Sequence, residues 1–274
     1  MYKPLNTKKG LKTSEKIGIG ALILIVLAII FGSSYYFLFH EEKQFDKGNT
    51  LCPVVKGVVE PTNIVAILID ETDPLTPNQK DFLNVEVEKL IRNQAEGTLI
   101  SLYSISNNTP VQRTPSFNLC KVRDGSDADK LTENEALMRK RFKNEFEKPL
   151  RAQLEKLNEI NTPSKESKLF EEIQAISINT FQKYNTKGTK ELYIFSDMLH
   201  NTKDFTLYKT RQNFDELKKS GYFAGMRSNL IGVDVNMYYF INQPRFQKNQ
   251  NVNFWKDFFN ELGASVVKVE VIGK

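Results

Sequence analysis

Asn63-Ile64-Val65-Ala66-Ile67-Leu68-Ile69-Asp70-Glu71-Thr72 runs through six apolar residues straight into an aspartate. Glu191-Leu192-Tyr193-Ile194-Phe195-Ser196-Asp197 does much the same further on. Short runs of branched and aromatic residues read as strands buried on both faces, the signature of a parallel sheet covered by helices. Open α/β sheets place ligands at the carboxyl ends of such strands, so Asp70 and Asp197 are expected to meet in one crevice.

Working outward, Thr76-Pro77 starts a helix with proline in the first turn, and Phe82, Val85, Leu90 and Ile91 approximate its apolar face through Gln94 until Gly97 ends it. Thr98 to Ser106 alternates and reads as a strand. Asn107-Asn108-Thr109-Pro110 follows as a turn, and Val111 to Val122 as an irregular or third strand. Asn134 to Asn158 carries Leu137, Phe142, Phe146, Leu150, Leu154 and Leu157 at helical spacing, with a kink or break expected at Pro149 because proline removes a backbone donor. After a loop at Asn161 to Ser167, Leu169 to Tyr184 reads as a helix with Ile173, Ile176 and Phe181 inward. Beyond the Leu192 to Phe195 strand come a helix near Phe214 to Lys218, a strand over Leu230 to Ile241, a helix from Phe254 to Leu262 and a closing strand from Val266 to Ile272. Such alternation predicts an α/β fold: a doubly wound, mainly parallel sheet with helices on both faces. Tyr238-Tyr239-Phe240 reads as core and sheet edge, Trp255 and its neighbours as an inward helix face, and His200 as solvent-facing loop.

The amino-terminal part follows different rules. Ile17 to Phe39 contains 23 residues without a charged side chain, enough for one transmembrane helix. Lys3, Lys8, Lys9, Lys12 and Lys16 precede it against Glu15 alone, and Glu41 and Glu42 follow it. That asymmetry predicts a cytoplasmic tail over residues 1–16, a single pass through a bacterial inner membrane over 17–39, a linker over 40–62 and an exported domain over 63–274. A cleaved signal peptide is the rival reading. It is disfavoured by the length of the apolar core and the lack of a clean small-x-small site.

Of the net charge of +5, residues 1–16 supply +4, so the exported part is nearly neutral and offers no basic field for nucleic acid. The cluster Arg139-Lys140-Arg141-Phe142-Lys143, interleaved with Glu133, Glu135, Glu145 and Glu147, reads as a solvated helix face. Cys52 and Cys120, the only two cysteines, both fall on the exported side and are expected to form a disulfide; two unrelated buried thiols are the alternative. Together with His40 and His200 they share no zinc-ligand spacing.

The order of strands and acids resembles a von Willebrand factor A-like domain over most of residues 63 to 272. The resemblance implies a metal-ion-dependent adhesion site, which in that family starts as Asp-x-Ser-x-Ser, adds a loop threonine and ends in an aspartate. Asp70 matches the first aspartate, Thr72 stands for the first hydroxyl, and Pro74 sits where the second should be. Ser167 resembles the loop hydroxyl, and Ser196-Asp197 the final Thr-Asp, with Met198 in place of the usual glycine. The implied ligand set is Asp70, Thr72, Ser167 and Asp197, holding Mg²⁺ or Ca²⁺ with one coordination position left for a partner's carboxylate. Alternatively, Asp70, Thr72 and Asp73 cap a turn ahead of the next helix.

A membrane-tethered interaction module, scaffolding or recruiting subunits of a bacterial envelope assembly, fits this order best. It makes the lipid bilayer and unidentified proteins the expected partners, leaves self-association open and predicts no catalysis. A haloacid-dehalogenase-like phosphohydrolase with Asp70 as nucleophile is the runner-up. Its Asp-x-Asp motif needs a carboxylate where Thr72 stands. A binder of small solutes would rest on the fold alone.

Overall fold

The computed structural model describes residues 13–39, 44–46, 49–106, 111, 114–158, 163–209 and 211–273. The chain divides into two units, residues 1–43 and 44–274. In the first, α1 (Thr13–Phe39) is a continuous helix of 27 residues. The described side chains within it run from Leu22 to Tyr35, all exposed and none charged. Among the described residues no helix is long and apolar enough to cross a membrane. The expected span, Ile17 to Phe39, extends beyond those side chains at both ends, and the turn expected at Asn107-Asn108-Thr109-Pro110 also lies outside the described residues.

In the second unit the two quoted runs become β4 (Ile64–Asp70) and β7 (Lys190–Ser196), hydrogen-bonded side by side and parallel. Along β4 every residue is buried because alternate side chains enter two different cores. Ile64, Ala66 and Leu68 join one cluster, while Val65, Ile67 and Ile69 join the other. That period of two, with both faces covered, is why the run is continuously apolar.

α2 (Pro77–Arg92) follows β4 and packs Leu83, Val87, Leu90 and Ile91 into the second cluster. It begins where Thr76-Pro77 predicted a start, and Thr76 and Gln79 close it with a capping box. β5 (Leu99–Ile105) pairs parallel with β4, and β6 (Phe117–Cys120) pairs antiparallel with β5. β5 is wholly buried rather than half-exposed, as its alternation had suggested. Its polar positions are satisfied inside: Ser101 Oγ donates to Asn118 at 2.7 Å, and the Tyr103 and Thr180 hydroxyls lie 2.8 Å apart.

α3 (Glu135–Arg141) runs through a π-turn at Phe142–Glu147 into α4 (Lys148–Asn158) without breaking. Proline cannot donate to the preceding turn, and Pro149 falls just after this widened stretch, which absorbs the missing bond. Phe146 and Leu150 point inward as expected, whereas Leu137 is 63% exposed. It sits a helical turn before the helix reaches the core. The side chain of Leu157 is outside the described residues.

α5 (Leu169–Ile176), extended by a second π-turn at Ser177–Phe181, leads to β7. Then come α6 (Phe214–Lys219), α7 (Gly221–Met226), β8 (Val233–Phe240), α8 (Asn249–Glu261) and β9 (Ser265–Ile272). The six-stranded sheet has the order β6-β5-β4-β7-β8-β9, parallel except for β6. Tyr238, Tyr239 and Phe240 lie in β8, an interior strand flanked by β7 and β9, so the edge reading is corrected. α5, α6, α7 and α8 contribute to the first cluster, with Trp255, Phe258 and Phe259 fully buried, and α2 and α4 contribute to the second.

The stretch expected as a linker carries a small antiparallel sheet, β1 (Gln44–Phe45), β2 (Pro53–Val55) and β3 (Val58–Val59). It is tied to β6 by the Cys52–Cys120 disulfide, with the Cα atoms 4.8 Å apart, and by the Cys120 amide donating to the Thr50 carbonyl at 2.7 Å.

Candidate functional site

Because the chain leaves β4 toward β5 on one side and returns to β7 on the other, the strand order reverses between β4 and β7. A crevice opens at the carboxyl ends of strands at such a reversal, as anticipated from the quoted runs. Register pairs Ile69 with Phe195 and so sets Asp70 beside Ser196, with Asp197 one residue beyond.

Asp70 is buried and surrounded by donors. Its Oδ1 accepts from the Thr72 amide at 3.0 Å and the Thr72 hydroxyl at 2.6 Å. Its Oδ2 accepts from the Ser196 hydroxyl at 2.7 Å and the Ser167 hydroxyl at 3.4 Å. Ser167 reaches this position because its backbone pairs both ways with Asn201 at 2.9 Å, while Ser164 N–H donates to the Thr72 carbonyl at 2.7 Å. Thr72, Ser167 and Asp70 are therefore brought together.

Asp197 is also buried. One oxygen accepts from the Leu199 amide at 2.9 Å, while among the described residues Oδ2 meets no amide or hydroxyl donor, and the Asp73 carboxyl lies within hydrogen-bonding reach of Asp197. Burial pushes its pKa well above the ordinary carboxylate range, and repulsion from Asp70 and Asp73 pushes the same way. Asp70 is raised too, chiefly by burial, and its hydroxyl and amide donors hold the rise back. Neighbouring Glu71 is pushed up to about 8 by burial and by the Asp70 charge. Buried carboxylates without a cationic partner are costly to ionise, and among the described residues no cationic side chain bonds Asp70 or Asp197.

The backbone around Asp197 is held from several sides. Met198, standing where the resemblance calls for glycine, is buried and keeps a left-handed conformation with φ of 58°. Such a conformation costs a branched backbone on the order of 1 kcal/mol and persists where surroundings dictate it. Here they do: the Met198 carbonyl accepts from Trp255 Nε1 at 2.8 Å and Asn251 Nδ2 at 3.3 Å, and its amide donates to Ser196 Oγ at 2.8 Å. Gln247 Nε2 adds bonds to the carbonyls of Asp197 at 2.9 Å and Phe240 at 2.6 Å, joining the ends of β7 and β8.

Ser196 and Asp73 belong to the crevice although the sequence reading did not place them among the ligands. Ser196 was signalled by its place one residue before Asp197, but its bond to Asp70 follows from sheet register. His200 is corrected outright: it is fully buried, its ring centroid 4.1 Å from that of Phe170, and burial pushes its pKa down to about 3. The aromatic cluster of α5 and α8 covers the loop that sequence alone had left at the surface.

A hard divalent cation takes oxygen donors, and the crevice supplies carboxylates and hydroxyls with one carboxylate oxygen free of amide and hydroxyl donors. The residues fit such an ion in donor chemistry. Among the described residues no cluster of three or more His, Cys, Asp or Glu side chains is arranged to hold a metal. Any ion here would lean on hydroxyls and water as well as charge. No protein-family model matches the chain, and no curated protein matches it.

Proposed function

We propose that this chain is a von Willebrand factor A-like interaction module, anchored in a bacterial inner membrane by residues 17–39. In this reading its crevice binds Mg²⁺ or Ca²⁺ and, through the ion, an acidic group on a protein partner in an envelope assembly. The observation that carries the reading is the buried Asp197 carboxyl, whose Oδ2 meets no amide or hydroxyl donor and lies by the Asp73 carboxyl, beside an Asp70 that already gathers the hydroxyls of Thr72, Ser167 and Ser196. Asp70 and Asp197 would supply charge, Thr72 and Ser167 neutral oxygens, and water the position that Pro74 lacks. When bound, the ion would offset the carboxylate repulsion and leave a coordination position facing solvent.

Thermal melting of the purified chain tests the cation. A ligand that binds only the folded state stabilises it by mass action, so millimolar Mg²⁺ or Ca²⁺ should raise the melting temperature and a chelator should reverse the rise. Asp70→Ala should abolish the response and Thr72→Ala should only reduce it, since water replaces a hydroxyl more readily than a charge. A melting temperature indifferent to both ions and to chelator would overturn the cation reading.

Membrane topology is tested separately. In this reading the uncharged run from Ile17 to Phe39 and the lysines before it would leave residues 41–274 outside the cytoplasm. A reporter that works only outside, fused after Lys274, should be active, and one that works only in the cytoplasm should be silent. The reverse pattern would exclude the anchor in this orientation.

A further inference from the structure

The two edges of the sheet are treated differently. On the β6 side, the Cys120 amide donates to the Thr50 carbonyl, and the disulfide holds the small sheet there. On the β9 side the ladder ends. The Ile272 carbonyl accepts from the Ile241 amide at 3.0 Å and so faces β8. By alternation along a strand, the backbone N–H and C=O of Val271 and Val269 face away from the sheet. Among the described residues no backbone partner meets them. An eight-residue edge of this kind is a template for another strand.

Its sequence states which strand fits. Val267-Lys268-Val269-Glu270-Val271 reads the same in both directions about Val269, except that the charge changes sign. Val267 and Val271 are 56% and 61% exposed. Lys268 and Glu270 share the opposite face, paired at 2.6 Å within the chain and partly open to solvent. The irregularity in the β8–β9 ladder falls at Val267, which has no opposite residue in β8, and regular register runs from Lys268 to Ile272 against Asn236 to Phe240, so the regular centre of the seam is Lys268-Val269-Glu270.

We propose that a second copy of this chain docks along β9, antiparallel and centred on Val269, so that two six-stranded sheets join into one about a twofold axis. In that arrangement Val269 faces Val269 of the other copy as a hydrogen-bonded pair that exchanges both N–H···O bonds. Lys268 of each copy faces Glu270 of the other as a non-hydrogen-bonded pair, where side chains approach most closely. Val271, on the regular stretch, loses its exposure at the seam. The contact is isologous, so the same segment supplies both sides and the assembly closes as a dimer.

Sedimentation of the full-length chain in detergent, at micromolar concentration, reads the state directly. The wild-type chain should be a dimer. Lys268→Glu and Glu270→Lys should each weaken it by roughly tenfold or more, because each puts like charges opposite one another at both symmetry-related positions. The double exchange Lys268→Glu with Glu270→Lys should restore it, since the pattern is again self-complementary. Both residues are substantially exposed, and an unchanged melting temperature confirms that each variant folds. A monomeric wild type, a dimer indifferent to the single reversals, or a double exchange that stays dissociated would each overturn the proposal.

Discussion

Replacing Cys52 and Cys120 together with alanine is expected to lower the melting temperature of the chain by roughly 10 °C. The two cysteines are 68 positions apart. In the chain-entropy model a loop of that length, once closed, removes about 4 kcal/mol of disorder from the unfolded state. For a domain of this size each kcal/mol moves the melting temperature by about 2–4 °C. The structure adds a local component. Cys52 and Cys120 are both fully buried, and the bond they form fixes β1 to β3 against β6, the strand through which Leu119 and Phe117 reach the second core. Scanning calorimetry of wild type and double variant, with and without reductant, measures it. Curves that superimpose within about 2 °C would show that the small sheet is held by its backbone bonds alone.

Asp197→Asn is expected to raise the stability of the cation-free chain at neutral pH by roughly 1–3 kcal/mol, the cost of an unsatisfied buried polar group. The amide keeps the oxygen that accepts from Leu199, removes the repulsion with Asp70 and Asp73, and replaces the oxygen that meets no amide or hydroxyl donor with a donor. The sign of the pH dependence follows from the same repulsion. A carboxyl whose pKa is raised on folding holds its proton more tightly in the folded state, so its contribution favours folding at low pH and is lost as pH rises through the folded value. Asp197 is displaced upward from 3.8, and Glu71 from 4.5 to about 8, so cation-free wild type should lose stability steadily from about pH 4 to pH 8. Asp197→Asn should make that slope shallower and leave the Glu71 contribution. It should also abolish stabilisation by Mg²⁺ or Ca²⁺ while improving the chain without them. Denaturant unfolding across this pH range decides it; a variant less stable than wild type at pH 7.5 without cation would show that the Asp197 charge is already compensated.

Much of the domain was legible in sequence because its signals are local. An unbroken apolar run ending in an acid reads as a strand covered on both faces, and β4 and β7 are such strands. Thr76 and Pro77 announce a helix start because their chemistry acts within one turn. Two cysteines in one domain leave only one intramolecular pairing, and the disulfide followed.

Other features depend on what lies opposite. Pro149 marks trouble in a helix, yet only the surrounding packing selects a π-turn over a break. His200 carries no local sign of burial; Phe170 of α5 and Tyr222 of α7 pack their rings against it, residues 30 and 22 positions away. The polar alternation of β5 suggested an exposed face until Asn118 and Thr180 were brought to its side chains. At the crevice, sequence alone determined that Asp70 and Asp197 each follow a buried apolar run; that the two strands lie side by side came from the sheet order. The tertiary structure decided that Ser196 bonds Asp70, that Ser167 reaches it from a distant loop, and that one oxygen of Asp197 meets no amide or hydroxyl donor. Strand register, loop pairing and burial are properties of what surrounds a residue, and these set which oxygens meet and which charges are raised.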